Sequence, residues 1–214
     1  MLRTKREESE WDLKNEINKV NVRWTILIFT LPYLYAQFFS RYSSAFDYFR
    51  DSKFIYITIL SFFTVFLNLI YNIFLVQKNK RAKSLHPSLK YISMIFDLSI
   101  VTFLLFPTGG SESMFFILYI VVLLSNGMRY GMRLAVVGIL VFNTFYLVML
   151  FIQFYPETEI SVLDREILKV LGVWIVGLYI GYLARRFQAL SGEVEKYKHL
   201  LNKYLESAEN DGQP

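Results

Sequence analysis

The residue with the clearest potential for chemistry is Asp97, because it lies inside the apolar run 91–106. A carboxylate within a membrane span is costly unless it is paired, solvated or protonated. Its natural partners are Arg129 and Arg133, in the tract 126–133 that follows a later apolar run. A structural salt bridge and a pair broken by ligand binding are both open. The candidate signal-coupling residues are Asp97, Asn126, Arg129, Tyr130 and Arg133.

A stripe of polar residues follows one face of the apolar run 54–76. Its members recur at helical steps of three and four: Ser61, Thr64, Asn68 and Asn72. Such a stripe normally faces other helices, where it serves packing or contacts a ligand. Glu112, just before another apolar run, suits the positive end of a helix and is predicted to cap it. Asn68 and Glu112 are the candidate ligand contacts.

Residues for metal or covalent chemistry are scarce. The chain has no Cys and two His, at 86 and 199, which cannot by themselves build a zinc site. No phosphate-binding loop, HExxH or CxxC motif occurs. The segment after His199 lacks the acidic residue, Arg and Thr-Pro that follow the phospho-accepting His of sensor kinases. We therefore expect no cofactor, no metal and no catalytic activity in this chain.

Composition places these residues in a polytopic membrane protein. Hydrophobic residues make up 54% of the 214 and aromatic residues 18%, too many for an ordinary soluble domain. Six apolar runs predict an all-α fold of six transmembrane helices: 24–40, interrupted by Pro32, then 54–76, 91–106, a fourth beginning at 114–124, 134–154 and 167–183. The third and fourth spans are short for a bilayer.

Charge predicts the orientation of these spans. Most of the 23 Lys and Arg residues fall in the leader 1–23, the loop 77–90, the predicted turn 126–133 and the segment after the sixth span. This bias predicts that both termini are cytoplasmic. The basic residues flank apolar runs, so membrane headgroups, and not nucleic acid, are their expected partners. The leader is predicted to be either a helix that lies on the inner surface and runs into the first span, or a solvated charged segment.

The last span is predicted to continue as a stalk. No Pro interrupts the chain past 183, and apolar residues follow an a/d heptad pattern: Leu183, Phe187, Leu190, Val194, Tyr197, Leu201 and Tyr204. Such a seam is typical of a coiled coil. Gly177 and Gly181 form a GxxxG motif, which permits close helix approach. We therefore predict a homodimer through these residues, a stalk over 184–206 after the membrane domain 24–183, and a disordered tail over 207–214.

Two motifs carry a family resemblance. The sequence ISMIFD at 92–97 and the tract NGMRYG at 126–131 resemble the six-transmembrane receptor domain of quorum-sensing sensor histidine kinases for diffusible fatty-acid signals, a domain type also found before class III adenylyl cyclases. The resemblance implies a bacterial inner-membrane location and a stalk that passes the signal to a kinase or cyclase. The sequence stops before such an effector domain, and two explanations are open: it is the receptor portion of a longer protein, or an orphan that signals by pairing its stalk with another chain.

The leading functional hypothesis is thus a membrane sensor for a lipophilic or membrane-derived cue. No predicted outer loop is longer than about 13 residues, so a signal must reach the helices themselves. A transporter or lipid-handling protein is one alternative, but repeats and broken spans would be expected of it. A passive dimerising membrane anchor is the other, although it has no need of Asp97 or the polar stripe.

Overall fold

The computed structural model describes residues 5–40, 51–80, 86, 88–154 and 160–211, and these residues form six α-helices. The helices are α1 Lys5–Phe39, α2 Ser52–Lys80, α3 Leu89–Thr108, α4 Ile117–Tyr130, α5 Met132–Phe154 and α6 Ile160–Asp211. Two short 3-10 segments, Gly110–Glu112 and Met114–Phe116, join α3 to α4. The predicted all-α fold with six helices is confirmed. The predicted loops 41–53, 77–90 and 155–166 lie partly outside the described residues.

Four of the six described helices contain a segment long and apolar enough to cross a membrane. These segments are Ser52–Lys78, Leu89–Thr108, Met132–Gln153 and Asp164–Asn202, and Met114–Tyr130 is a shorter apolar helix. In α1 the apolar sequence begins only at Trp24, and Pro32 lies inside the helix without ending it. The protein is a multi-pass membrane protein.

The helices pack as a four-helix core with an attached hairpin. Helices α4, α5 and α6 contact one another, and α3 packs on α4 and α5. Helix α2 packs on α3, and α1 packs on α2. Edge-to-face and stacked rings fill the core between α4 and α5, among them Tyr119, Phe142 and Tyr146, which are fully buried. The hairpin α1–α2 therefore meets the core along one side.

The leader is part of this bundle, and its helix continues into the first predicted span. Helix α1 runs from Lys5 through the predicted boundary between residues 23 and 24. Leu13 and Val20 are buried in a small cluster with Leu75 of α2. The leader is therefore neither a surface-lying helix nor a solvated segment over this part. We call this end of the bundle, where α1 begins and α6 leaves, the stalk end.

The tract 126–133 was predicted to be a turn, and this prediction is wrong for most of its length. Helix α4 continues to Tyr130, and α5 begins at Met132. Gly131 alone makes the reversal, with φ of +81°, a conformation that costs glycine little because it has no Cβ atom. The side chains of the tract therefore project from a helix at regular angles.

Helix α6 confirms the predicted continuity of the last span and the polar segment. It is 52 residues long, or about 78 Å at 1.5 Å per residue. It ends at Asp211, later than the predicted stalk boundary at 206, so the first residues of the predicted disordered tail are helical.

Candidate functional site

A cavity lies between the α1–α2 hairpin and helices α3 and α4. Its volume is about 110 Å³, room for several water-sized groups. On α1 its lining runs from Lys19 to Leu34, which is about 22 Å along a helix axis. Away from the stalk end the walls are mainly apolar, with Leu31, Leu34, Leu60, Leu104 and Leu118 among the lining residues, and they carry hydroxyl groups at Thr30, Ser61 and Thr64. The site is therefore an elongated apolar cavity inside the membrane domain.

At the stalk end of this cavity, one buried carboxylate of α1 is hydrogen-bonded to residues of three other helices. Glu16 of α1 is 1% exposed and accepts hydrogen bonds from the hydroxyl groups of Tyr71 at 2.6 Å, of Ser93 at 3.3 Å and of Tyr130. These donors come from α2, α3 and α4. We call Glu16, Tyr71, Ser93 and Tyr130 the Glu16 cluster. The cluster fixes the start of α1 against the other three helices.

Asp97 is paired with two cations of α1. The Nε atom of Arg23 lies 2.7 Å from its carboxylate and the Nζ atom of Lys19 lies 3.2 Å away. Both cations also donate to the Ser93 hydroxyl. The predicted partners, Arg129 and Arg133, were therefore wrong. The sequence did not indicate these partners for two reasons. The leader's alternating charges suggested solvent exposure, and residues 74 positions apart leave no local pattern that would reveal their contact.

The four charges of this network balance, and the half-buried Arg129 is a further cation of the region. Glu16 and Asp97 are negative, and Lys19 and Arg23 are positive. Burying an ion pair costs desolvation, which the mutual attraction offsets only when the remaining hydrogen-bonding capacity is also satisfied. Ser93 and the two tyrosines supply that satisfaction here. The pairs form one network that holds α1 in place.

Two side-chain amides line the same cavity as Asp97. Asn68 of α2 is 3% exposed and Asn126 of α4 is 1% exposed, and both line the cavity. Each of these three residues lies about one helical turn farther from the stalk end than a Glu16-cluster residue on its own helix. These pairs are Asn68 with Tyr71, Asp97 with Ser93, and Asn126 with Tyr130. We call Asn68, Asp97 and Asn126 the polar floor.

The amides of the polar floor have unused hydrogen-bonding capacity. Within the described part of the chain, neither side-chain atom of Asn68 has a partner, nor does Oδ1 of Asn126. The Asn126 amide nitrogen donates to the Val122 carbonyl at 2.8 Å. A buried polar group without a partner costs about 1–3 kcal/mol. The floor therefore has hydrogen-bonding groups free for a polar partner, and ligand contact at Asn68 stays a prediction.

The tract 126–131 joins the cavity to α6. Asn126 lines the cavity, and the next residue, Gly127, faces Ile180 of α6, whose Cγ2 atom would lie 2.8 Å from a Cβ atom at 127. Gly131 faces the Gln188 side chain. Arg129 is half-buried, and its Nη1 atom lacks a hydrogen-bond partner among the described residues. Arg133, the last of the candidate signal-coupling residues, is exposed at the start of α5 and is not part of this contact with α6.

Gly177 and Gly181 are buried inside the bundle, which corrects their assignment to the dimer interface. A Cβ atom at Gly177 would lie 2.6 Å from Cδ1 of Ile139, and one at Gly181 would clash with Met132. Both neighbours belong to α5. The GxxxG motif therefore brings two helices of one chain together, as its small residues allow.

Beyond the helix bundle, the side chains of the predicted heptad seam are exposed on the surface of α6. The side chains of Phe187, Leu190, Val194, Tyr197 and Leu201 are between 55% and 72% exposed, and Leu183 is half-buried. The side chain of Tyr204 lies outside the described residues. Dimerisation through this seam stays a prediction.

Glu112 belongs to a second polar cluster at the opposite end of the bundle. It pairs with Arg165 at 2.6 Å, while Ser113 caps the next helical segment by accepting from the Phe115 amide. The predicted capping role of Glu112 was therefore wrong. Close by, Lys169 pairs with Glu166 at 2.9 Å and donates to the Ser111 carbonyl. This cluster lies outside the cavity lining and fastens the α3–α4 connection to α6.

The fold and the site together define a class of protein. Among the six described helices, α1 to α4 line an apolar cavity with a polar floor, and no metal-binding cluster of three His, Asp or Glu residues occurs among the described residues. This is a six-transmembrane domain of the sensor type. Residues 8–193 match the PilS-like transmembrane domain, so the chain belongs to that family. No curated protein and no solved structure matches the chain.

Proposed function

We propose that this domain is a receptor that binds a lipophilic or membrane-derived cue in the cavity and relays it through a dimeric stalk to a cytoplasmic cyclase or kinase effector. The observation that carries the proposal is that the polar floor of an apolar cavity is one residue away from a contact with α6. A purely structural anchor requires neither the cavity nor this connection.

Ligand binding acts on α6 through helix α4. A ligand that contacts Asn126 changes the position of Gly127, and the close packing of Ile180 on Gly127 passes the change to α6. Shifts of about 1–2 Å at such packed contacts are an established route of coupling. The ligand must bind one of two helix arrangements more tightly than the other. Asp97, with Arg23 and Lys19, holds the arrangement without ligand.

The output leaves the membrane along the stalk. A heptad seam positions two stalks in parallel, and a small rotation or shift of α6 changes how they meet. The excess of Lys and Arg at the stalk end supports an orientation with both termini on the cytoplasmic side. The membrane we propose is a bacterial inner membrane. Lipid headgroups and a second copy of the chain are the expected partners, together with the effector domain.

The test joins the stalk in heptad register to a catalytic reporter that is active only as a dimer. Wild type is compared with Asp97→Asn while neutral and charged amphiphiles are screened, and Asp164→Asn, at an exposed carboxylate of α6, is the matched control. We expect at least one amphiphile to change reporter output in wild type and in the control, and Asp97→Asn to alter the basal output. Constant output under every compound indicates an anchor, and uptake of a compound into vesicles without reporter change indicates a transporter.

A further inference from the structure

We propose that the polar group of the amphiphile held in this cavity is uncharged and both donates and accepts hydrogen bonds, as a primary amide or a hydroxyl does. The inference rests on the proposed function, since it names the chemical class of the ligand for that site. It differs from the fatty-acid carboxylate that the sequence resemblance implies.

The unpartnered groups of the polar floor are neutral amides. Asn68 offers one donor and one acceptor atom, neither of which has a partner within the described residues, and Asn126 offers an acceptor, Oδ1. Both residues line the cavity and are at least 97% buried. A ligand that pairs with all of them needs at least one donor and one acceptor. A carboxylate can only accept, so it would leave the Asn68 and Asn126 oxygens without partners.

The charged groups of the cavity are already committed to one another. Arg23 and Lys19 contact Asp97, and together with Glu16 they form a set of four charges whose sum is zero. An incoming carboxylate would add an uncompensated negative charge in a region of low dielectric, or it would have to displace Asp97 from its cations. A neutral polar group avoids both costs.

The cavity also sets how such a ligand lies. The polar floor is near the stalk end, and the walls beyond it are mainly apolar as far as Leu34 and Leu104, with hydroxyl groups at Thr30, Ser61 and Thr64. An amphiphile therefore places its polar group against Asn68 and Asn126 and its chain toward the opposite end of the bundle. Arg129 has an unpartnered nitrogen atom in this region, but it does not line the cavity.

The experiment measures binding to the full chain in lipid nanodiscs, with empty nanodiscs correcting for partition into lipid. The probes share an eight-carbon chain and differ in the polar group: octanamide, octanol, octanoate and octane. The variant Asn68→Leu removes the floor amide, and Asn72→Leu makes the same change one turn farther along α2, outside the cavity lining. Replacing an unpartnered buried amide by an apolar group of similar size leaves stability nearly unchanged, and a thermal melt checks that both variants fold.

We expect octanamide and octanol to bind wild type about tenfold or more tightly than octanoate does, since one lost hydrogen bond to a buried group is worth about that factor. Asn68→Leu should weaken octanamide binding about tenfold and leave octane unchanged, while Asn72→Leu behaves as wild type. Asn126→Leu should weaken octanamide as well.

The proposal is overturned if octanoate binds as tightly as octanamide, or if its binding depends on Arg129 and not on Asn68. That result contradicts the ligand class only, because reporter output that responds to octanoate would still support a receptor. If no probe binds and the reporter responds to no amphiphile, the proposed function fails, and the ligand class with it.

Discussion

At the scale of single residues, the site depends on how a carboxylate is paired among apolar helices. Asp97 is 11% exposed and pairs with two cations of α1, Lys19 and Arg23. The steps from Glu16 to Lys19 and from Lys19 to Arg23 are three and four residues, so the three side chains share one face of that helix. Helix α1 therefore supplies a charged stripe that matches α3.

Replacing Arg23 with Met tests this pairing. The change removes the closer cation of Asp97 and leaves three buried charges. We expect the free energy of unfolding to fall by about 2–4 kcal/mol, somewhat less than for a fully broken buried pair because Lys19 still contacts Asp97. The measurement is an unfolding titration with SDS in mixed micelles.

A double variant provides the control for that result. Arg23→Met combined with Asp97→Leu leaves Glu16 and Lys19 as a neutral pair, so most of the lost stability should return. A double variant that is no more stable than Arg23→Met would show that the network is not held together by charge balance.

The tyrosine hydroxyls of the Glu16 cluster carry a second prediction. Tyr130→Phe removes one of the three donors to a buried carboxylate, so we expect a loss of about 1–3 kcal/mol in the same titration. Tyr179→Phe, at a side chain that is 60% exposed, is the matched control and should change stability by less than about 0.5 kcal/mol. Equal effects of the two substitutions would contradict the assigned role of Glu16.

At the scale of helices, the sequence predicted the elements better than their contacts. Apolar runs and the absence of Pro past 183 predicted six helices and a continuous α6. The Glu16 cluster was missed because its members come from four helices and lie up to 114 residues apart, whereas sequence patterns report neighbours three or four residues away. The sequence did indicate that Asn68 is buried against other helices, because a polar residue in a span must face something other than lipid.

The glycines of the predicted interface show a different limit. Small residues indicate close approach, but they do not identify the partner helix. Gly177 and Gly181 face α5 of the same chain, and Gly127 faces Ile180 of α6. A sequence pattern cannot distinguish packing within a chain from packing between chains.

The contact between Gly127 and Ile180 gives the prediction at this scale. Gly127→Ala places a methyl group against Ile180, so we expect a loss of stability of about 1–3 kcal/mol and altered basal output in the reporter fusion. Gly192→Ala, where an added Cβ atom meets nothing within 4 Å, should be neutral or slightly stabilising because alanine favours helix.

A double-mutant cycle separates this contact from helix propensity. Combined with Ile180→Ala, the Gly127→Ala change should cost much less than it does alone, with an interaction energy of about 0.5–3 kcal/mol. Additive effects would mean that Ile180 does not transmit the position of α4.

At the scale of the whole molecule, the exposed seam of α6 decides whether the domain works alone or in pairs. Apolar side chains at heptad spacing project from the part of α6 that lies outside the bundle, and we propose that a second copy of the chain packs against them, because its seam matches in length and chemistry. Leu190→Glu places a charge in this seam, next to its own counterpart in a parallel dimer. We expect that variant to weaken dimerisation of the full chain in bilayers by about tenfold or more, measured by energy transfer between labelled copies, since burying an unpaired charge costs several kcal/mol.

The control is Ala189→Glu, which adds the same charge one residue away, off the seam, and should dimerise as wild type does. If both variants dimerise normally, the contact between copies must lie within the membrane helices, and the stalk would then transmit the signal without forming the interface itself.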